Sequence, residues 1–104
     1  MNPSHLYDCF DMKTSEIKEK MWAAFAEYQK FADADGHGKS WSRMCEFKTN
    51  RAFDDASAPL PVSYAYFAIS AAAAVLNSYY ATTYSHNAHA QLAIDYINDA
   101  ISNK

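Results

Sequence analysis

The last part of the chain, from residue 62 to residue 104, contains neither glycine nor proline. Its only charged residues are Asp95, Asp99 and Lys104. A stretch without helix breakers, in which apolar side chains recur at helical spacing, is typical of helices in a protein interior. One apolar face comprises Val62, Tyr66, Ile69, Ala73, Leu76, Tyr80 and Tyr84. We therefore predict a long Ala/Tyr-rich helix over about 62–84 as the central element, followed by a break near 85–87 and a final helix.

An uncharged stretch of this length is also a candidate for a membrane span. However, it contains several tyrosines and hydroxyl side chains, and no cluster of Lys or Arg flanks either end to set an orientation. A helix that is apolar on most sides is usually buried in a protein core. We therefore expect a buried core helix and no membrane partner.

The amino-terminal part of the chain also has helical spacing. Asn2 and Pro3 suit a helix start, because Asn caps helices and Pro fits the first helical position. Thr14 or Ser15 is predicted to cap a longer amphipathic helix that ends at Gly36. The apolar face of that helix comprises Ile17, Met21, Ala24, Phe25, Tyr28, Phe31 and Ala32.

In the middle of the chain, the pattern of apolar residues predicts one more helix, and the prolines after it predict a linker. Ser40 or Ser42 is a suitable N-cap for this helix, whose apolar positions continue to Phe53. Two prolines, at positions 59 and 61, interrupt the pattern. Because proline removes a backbone donor and disrupts a helix, residues 56–61 are predicted to form a linker between helices.

The composition fits a small helical domain. The chain has 104 residues, of which only two are glycine and three are proline. Scarce turn residues favour long helices, and this length suits one modest core. We predict a single all-α domain over residues 1–104, a small bundle of four to five helices. The net charge of −3 gives no general attraction to nucleic acid or to anionic lipid.

The stretch D-A-D-G-H-G-K-S-W at residues 33–41 resembles part of an EF-hand calcium loop extending to residue 44. Asp33 and Asp35 match the first and third loop positions, and a glycine matches the sixth. His37 and Met44 stand where oxygen ligands belong, so most of the calcium affinity should be lost. A phosphate-binding loop ending in G-K-S would need glycine in place of Asp33. We therefore expect a polar corner between two helices.

Histidine pairs leave a metal-binding helical module open as an alternative. His86 and His89 can share one helical face, and His5 and Cys9 are four residues apart. Zinc needs three or four converging ligands, which neither pair supplies by itself. We expect neither a metal ion nor a cofactor, and we keep Asp33, Asp35, His86 and His89 as alternative metal candidates.

The two cysteines, Cys9 and Cys45, indicate neither a disulfide framework nor catalysis. Both lie among apolar neighbours, as small core residues do. The sequence shows no nucleophile elbow, Gly-rich oxyanion loop or paired-carboxylate signature, so we do not expect an enzyme. The amino-terminus lacks a secretory signal pattern, which with the two cysteines favours a reducing, cytoplasmic location.

Basic side chains in the middle of the chain alternate with aromatic ones. The set comprises Lys39, Trp41, Arg43, Phe47, Lys48 and Arg51. Glu46, Asp54 and Asp55 lie in the same segment and dilute its positive charge. We therefore do not expect nucleic acid as a direct ligand, although an accessory nucleic-acid-binding protein is kept as an alternative.

Aromatic residues are the remaining functional signal. Eight Tyr, six Phe and two Trp exceed what a core of this size readily encloses. Tyr and Trp are frequent interface anchors, because each combines an apolar body with a hydrogen-bonding tip. The candidate partner-binding residues are Trp22, Trp41, Tyr64, Tyr79, Tyr80 and Tyr84. The competing interpretation is that all of these side chains belong to the core.

The leading functional prediction is a non-catalytic protein-binding protein, an inhibitor or adaptor that acts by occupying its partner. Self-association through the Ala/Tyr helix stays open beside it. By analogy of size and composition, the chain is similar to small phage or mobile-element proteins that block host defence complexes. A protein of that kind would act in the cytoplasm of the host cell.

Overall fold

A computed structural model describes the backbone of residues 3–77 and 83–103, and the side chains of residues 15–77 and 85–103. These residues form helices and no strand, which confirms the predicted small all-α bundle. The helices are α1 (Pro3–Glu27), α2 (Gln29–Ala34), α3 (Gly38–Phe47), α4 (Asn50–Ser57), α5 (Tyr64–Leu76) and α6 (Thr83–Ser102).

The first two helices form one interrupted helix, so that the described bundle has five helical units. The interruption is at Tyr28, whose backbone N–H bonds the carbonyl oxygen of Phe25 at 3.1 Å instead of following the α-helical pattern. α1 begins at Pro3, as predicted, and runs through Thr14 and Ser15. The prediction that either of these two residues caps a helix is wrong, because no glycine or further proline separates them from the helix before them.

The end of α2 follows the sequence pattern. Asp35 is the C-cap of α2, and Gly36 follows with φ of +87°, in the left-handed region that favours glycine. The next helix, however, begins at Gly38 with His37 as N-cap. Ser40 lies in its first turn, where its hydroxyl donates to the carbonyl oxygen of His37 at 3.0 Å. The predicted cap at Ser40 or Ser42 is therefore wrong.

The helix predicted through Phe53 is divided into α3 and α4. Lys48 ends α3 in the left-handed conformation with φ of +54°, and its N–H bonds the carbonyl oxygen of Met44 at 3.0 Å. Thr49 is extended, and its hydroxyl oxygen accepts a 3.2 Å hydrogen bond from the N–H of Ala52. Thr49 is thus the N-cap of α4. The helical backbone is interrupted at Lys48 and Thr49.

The Ala/Tyr-rich helix is shorter than the predicted 62–84. Ser63 caps α5, accepting a 3.4 Å hydrogen bond from the N–H of Tyr66. α5 ends at Leu76, and the side-chain amide of Asn77 donates to the carbonyl oxygen of Ala73 at 2.8 Å. The break predicted near 85–87 is also wrong, because α6 begins at Thr83 and continues through these residues.

Two parts of the core differ in the size of their side chains. α6 packs against both α5 and α1, whereas α3 packs against α2 and α4. Near α3 the core is aromatic, with Phe25, Tyr28 and Trp41 buried together. On α5 and α6 the buried side chains are mostly alanine, at Ala65, Ala68, Ala71, Ala72, Ala90, Ala93 and Ala100, with Ile69, Val75 and Ile97.

The alanine core changes which face of α5 is buried. The predicted face included Val62 and Tyr66, but Val62 exposes 77% of its surface and Tyr66 is only partly buried. Small side chains let the two helices pack closely, and the aromatic side chains at the start of α5 are left at the edge of the contact. No described helix combines the length and the hydropathy needed to cross a bilayer.

Candidate functional site

Large apolar side chains lie side by side on the outside of α5 and α6. Tyr64 exposes 46% of its surface, Phe67 40% and Leu92 41%, and Val62 lies just before α5. Tyr96 is partly buried between them and the core. We call Tyr64, Phe67, Leu92 and Tyr96 the α5–α6 apolar surface. Contiguous exposed apolar side chains of this kind mark interaction sites more often than isolated ones do.

Tyr96 of α6 joins the members of this surface. Its ring stacks on Tyr64 with centroids 6.4 Å apart, and it contacts Phe67 at 5.5 Å in a tilted arrangement. Leu92 precedes Tyr96 by one helical turn and therefore lies beside it on α6. The three rings form one continuous aromatic group, in which each ring restricts the rotation of its neighbour.

The residues predicted to bind a partner do not lie together on one surface. Trp41 is fully buried, so it belongs to the core and is withdrawn from the predicted surface. Trp22 is half-buried, stacked on Phe53 with centroids 6.0 Å apart. Tyr64 is the predicted residue that the structure places at the surface. Tyr79, Tyr80 and the side chain of Tyr84 lie outside the described residues.

Sequence reasoning missed Phe67, Leu92 and Tyr96. Leu92 and Tyr96 share the spacing of an apolar core face with Ile97 and Ile101, and Phe67 lies off the face predicted for α5. The signal that finds them is the spacing of alanine, which recurs at Ala65, Ala68 and Ala72 and marks the buried face. The face that these alanines mark also includes Ile69, whereas Tyr64 and Phe67 lie beside it and are exposed.

A cleft of about 500 Å³ adjoins this surface. It lies where the end of α2, the segment 58–63, the start of α5 and the end of α6 meet. Tyr64 lines the cleft and also stacks on Tyr96, so the cleft and the α5–α6 apolar surface are continuous. His37, which also lines the cleft, exposes 10% of its side chain, and its Nε2 lies 3.9 Å from Oδ2 of Asp35.

The segment 33–41 forms a helix–helix corner, as predicted from its polar and glycine residues. The side-chain amide of Gln29 donates to Oδ1 of Asp33 at 2.9 Å and to the carbonyl oxygen of Gly38 at 2.8 Å. Gly38 is required by this arrangement, because a Cβ there would overlap the Asp33 carboxylate. The Asp33 carboxylate is thus held against the start of α3, while Asp35 lies beside His37.

The histidines on α6 have local partners. Nδ1 of His86 lies 3.2 Å from Oδ1 of Asn87, and Nδ1 of His89 lies 2.9 Å from the carbonyl oxygen of Ser85. Within the described side chains, no group of three or more His, Cys, Asp or Glu is placed to share a metal ion. His5 and the side chain of Cys9 lie outside that part of the chain.

Cys45 is half-buried on α3. Burial raises the pKa of its thiol from 9.0 to about 11, and the nearby Lys48 charge opposes part of this increase. The thiol is therefore protonated near neutral pH, and a protonated thiol is a poor nucleophile.

The basic and aromatic residues of the middle segment are divided between core and surface. Trp41 is in the core, and the ammonium group of Lys48 lies 5.0 Å from the ring centroid of Trp22. Arg43 and Arg51 line one groove together with Phe47, and Asp55 lies in the same groove. Asp55 therefore places a carboxylate in the groove that the two arginines line.

Comparisons with protein-family models, with curated proteins and with solved structures give no match. The functional proposal therefore rests on the geometry of the α5–α6 apolar surface.

Proposed function

We propose that this chain is a non-catalytic protein-binding protein, an inhibitor or adaptor, whose partner covers the α5–α6 apolar surface. The observation that carries this proposal is the exposed aromatic group on two packed helices. Tyr64, Phe67 and Leu92 each expose at least 40% of their surface around Tyr96.

The chemistry of this surface favours a protein partner. Interface cores are enriched in Tyr and Phe and depleted of charge, and α5 carries no charged residue over its whole length. Tyrosine hydroxyls supply hydrogen bonds while the rings supply apolar area, which suits a folded partner that excludes water. Asp95 and Asp99 on α6 are exposed and provide acidic groups near this surface.

The surface is already held in one arrangement before binding. Tyr64 and Phe67 both contact Tyr96, so their rings lose less rotational freedom on association than isolated aromatic side chains would. Preorganised aromatic residues are typical of the few positions that carry most of the binding energy in an interface. We therefore expect Phe67 to be one of these positions.

The test compares two exposed phenylalanines on different helices. Phe67 lies on the proposed surface, whereas Phe47, at 59% exposure, lies at the end of α3. Tagged wild type, Phe67→Asp and Phe47→Asp are each used to capture partners from cells in which the chain is native, at equal loading. We expect wild type and Phe47→Asp to retain one stoichiometric partner, and Phe67→Asp to lose at least ten-fold of it.

Circular dichroism and thermal unfolding check that both variants are folded. We expect both to fold, because both replaced side chains are partly exposed. Equal capture by Phe67→Asp and wild type would overturn the proposal, as would the absence of any stoichiometric protein partner. Sedimentation of the purified wild type distinguishes a second copy of the chain from a different protein. Identification of the captured protein also tests the finer prediction that the partner belongs to a host defence complex.

A further inference from the structure

We propose that the partner covers the α5–α6 apolar surface with an amphipathic helix whose apolar face is bordered by Lys or Arg side chains. The inference rests on the proposed function and deepens it, because it specifies the chemistry of the partner at the same surface. Two observations carry it: two carboxylates on α6 lie beside the apolar side chains, and no described cationic side chain pairs with either of them.

The two carboxylates share the exposed face of α6 with the apolar side chains. Asp95 follows Leu92 by three residues, and Asp99 follows Tyr96 by three. Residues three and four apart are neighbours on a helix surface, with Cβ atoms about 5–6 Å apart. Both aspartates are exposed. We call Asp95 and Asp99 the acidic border of the α5–α6 apolar surface.

The charge of the acidic border is not compensated by its neighbours. The side-chain amide of Gln91, a neutral donor, bonds Oδ1 of Asp95 at 3.0 Å, and a carboxylate can accept several further hydrogen bonds. Among the described side chains, no Lys, Arg or His forms an ion pair with either aspartate. Like charges four residues apart on one helix also repel each other. A cation placed between the two carboxylates would relieve this repulsion and gain charge-assisted hydrogen bonds.

The other side of the surface is uncharged. α5 has no charged residue, and its Tyr64 and Phe67 contact Tyr96 of α6. A partner therefore meets apolar side chains over most of the surface and carboxylates along one border. Lys and Arg at the border of an apolar face complement this pattern, because their methylene stems pack on apolar atoms while their charged ends reach the carboxylates.

The geometry of the surface favours a helix as the partner element. Leu92 and Tyr96 are one turn apart, as are Asp95 and Asp99, so apolar and acidic groups repeat together about every 6 Å along α6. A partner helix repeats its own side chains at nearly the same distance and can meet both repeats. The described residues form no strand, so an extended segment would find no sheet edge for its backbone groups. A helix satisfies these groups by itself.

Two other occupants fit the charges less well. Between residues 62 and 103 the chain contains no Lys or Arg, so α5 and α6 of a second copy would bring only further carboxylates. An anionic lipid surface would be repelled by the acidic border. The occupant that the charges favour is a different protein with a positive border.

The test uses designed peptides of about 18 residues, a length at which an isolated Ala-rich helix can form. All of them carry the same stripe of Leu at helical spacing, which is bordered by Lys in one peptide, by Gln in another and by Glu in the last. Fluorescence anisotropy measures the binding of each labelled peptide to the full chain. We expect the Lys peptide to bind at least about ten-fold more tightly than the Glu peptide, with the Gln peptide between them.

Paired substitutions separate the acidic border from the net charge. Asp95→Asn with Asp99→Asn should weaken the Lys peptide about three- to ten-fold and leave the Gln peptide unchanged. Asp54→Asn with Asp55→Asn changes the net charge equally at exposed positions of α4 and should leave binding of the Lys peptide nearly as in wild type. Phe67→Ser removes an apolar contact without adding charge and should weaken both peptides. Circular dichroism checks that each variant is folded.

Equal binding of the Lys and Glu peptides, equal losses in the two Asp pairs, or a Lys peptide that is unaffected by Phe67→Ser would overturn this inference. Capture from cells separates it from the proposed function. We expect the Asp95, Asp99 double variant to retain less partner than wild type at equal loading. Loss of the partner in Phe67→Asp with full retention in the double variant would overturn this inference alone. Equal capture by Phe67→Asp and wild type would instead overturn the proposed function.

Discussion

The indole N–H of Trp41 donates a 2.8 Å hydrogen bond to the backbone carbonyl oxygen of Phe25. The same two residues stack with their ring centroids 5.5 Å apart. The carbonyl lies in the last turn of α1 and also accepts the backbone N–H of Tyr28 at 3.1 Å, at the interruption of the helix. Trp41 thus joins α3 to the point where the first helix is interrupted, and its polar atom is satisfied inside the core.

We predict that Trp41→Phe lowers the free energy of unfolding by about 2–3 kcal/mol. The substitution removes a buried hydrogen bond and leaves a gap where the larger ring system packed. Chemical denaturation followed by far-ultraviolet circular dichroism measures the change.

The matched control is Trp22→Phe, since Trp22 is half-buried and stacks on Phe53 at 6.0 Å. It should cost about 1 kcal/mol or less, because the remaining ring still packs on its neighbour. A smaller loss for Trp41→Phe than for Trp22→Phe would contradict the role assigned to the indole hydrogen bond.

We predict that Thr49→Ala destabilises the protein by about 1 kcal/mol, because the Thr49 hydroxyl oxygen caps the first turn of α4. Ser40→Ala should change stability by no more than about 0.5 kcal/mol. The Ser40 hydroxyl donates to a carbonyl within the first turn of α3 and satisfies no free backbone N–H. Urea titrations of both variants give the two values, and similar losses would show that the capping roles are wrongly assigned.

We predict that Ala93→Leu destabilises the bundle by about 1–3 kcal/mol. Ala93 is fully buried on α6, which packs against both α1 and α5, and adding three carbon atoms to a packed core forces side chains and backbone to shift. Ala88→Leu places the same side chain on the exposed side of α6 and should remain within about 0.5 kcal/mol of wild type. Thermal unfolding of the two variants makes the comparison, and equal melting temperatures would indicate a loosely packed contact.

We predict that Cys45 reacts slowly with iodoacetamide in the folded protein. Burial disfavours the thiolate and raises the pKa from 9.0 to about 11. At pH 8, the thiolate fraction is therefore about 100-fold lower than for an unperturbed thiol. The rate should keep rising with pH up to about 11.

The measurement uses a Cys9→Ser background, so that Cys45 is the single thiol, and unfolded protein in urea is the reference. Replacing Lys48 with Gln removes the charge that opposes the effect of burial and should slow the reaction further. A folded-state rate equal to the unfolded-state rate at pH 8 would contradict the raised pKa.

Helical periodicity and turn residues predicted the fold class correctly, and the position of Gly36 marked the end of α2. The division between α3 and α4 was missed, because Lys48 in the left-handed conformation has no sequence signature. The signal for Thr49 was present, since a threonine before a helical segment is a normal N-cap. It was outweighed by an apolar pattern that continued across the break.

The candidate site could be predicted only in part. Tyr64 was expected at the surface, but Trp41 was not distinguishable from it, because its burial depends on a carbonyl sixteen positions earlier in the chain. Phe67 and Leu92 were missed because a large apolar side chain was taken to mark the buried face. In α5 and α6 most of the buried positions are alanine, so the spacing of alanine marks the buried face better than side-chain size does.

The packing of α6 against both α1 and α5 has a consequence for how the chain folds. The contact between α1 and α6 joins segments at opposite ends of the sequence, and such distant contacts slow folding because a long loop must close first. During synthesis, α1 and α5 emerge before the helix that covers them both. The parts of α1 and α5 that α6 covers therefore stay exposed until residues 83–103 arrive, although α1 can already pack on α3 and α5 on α4.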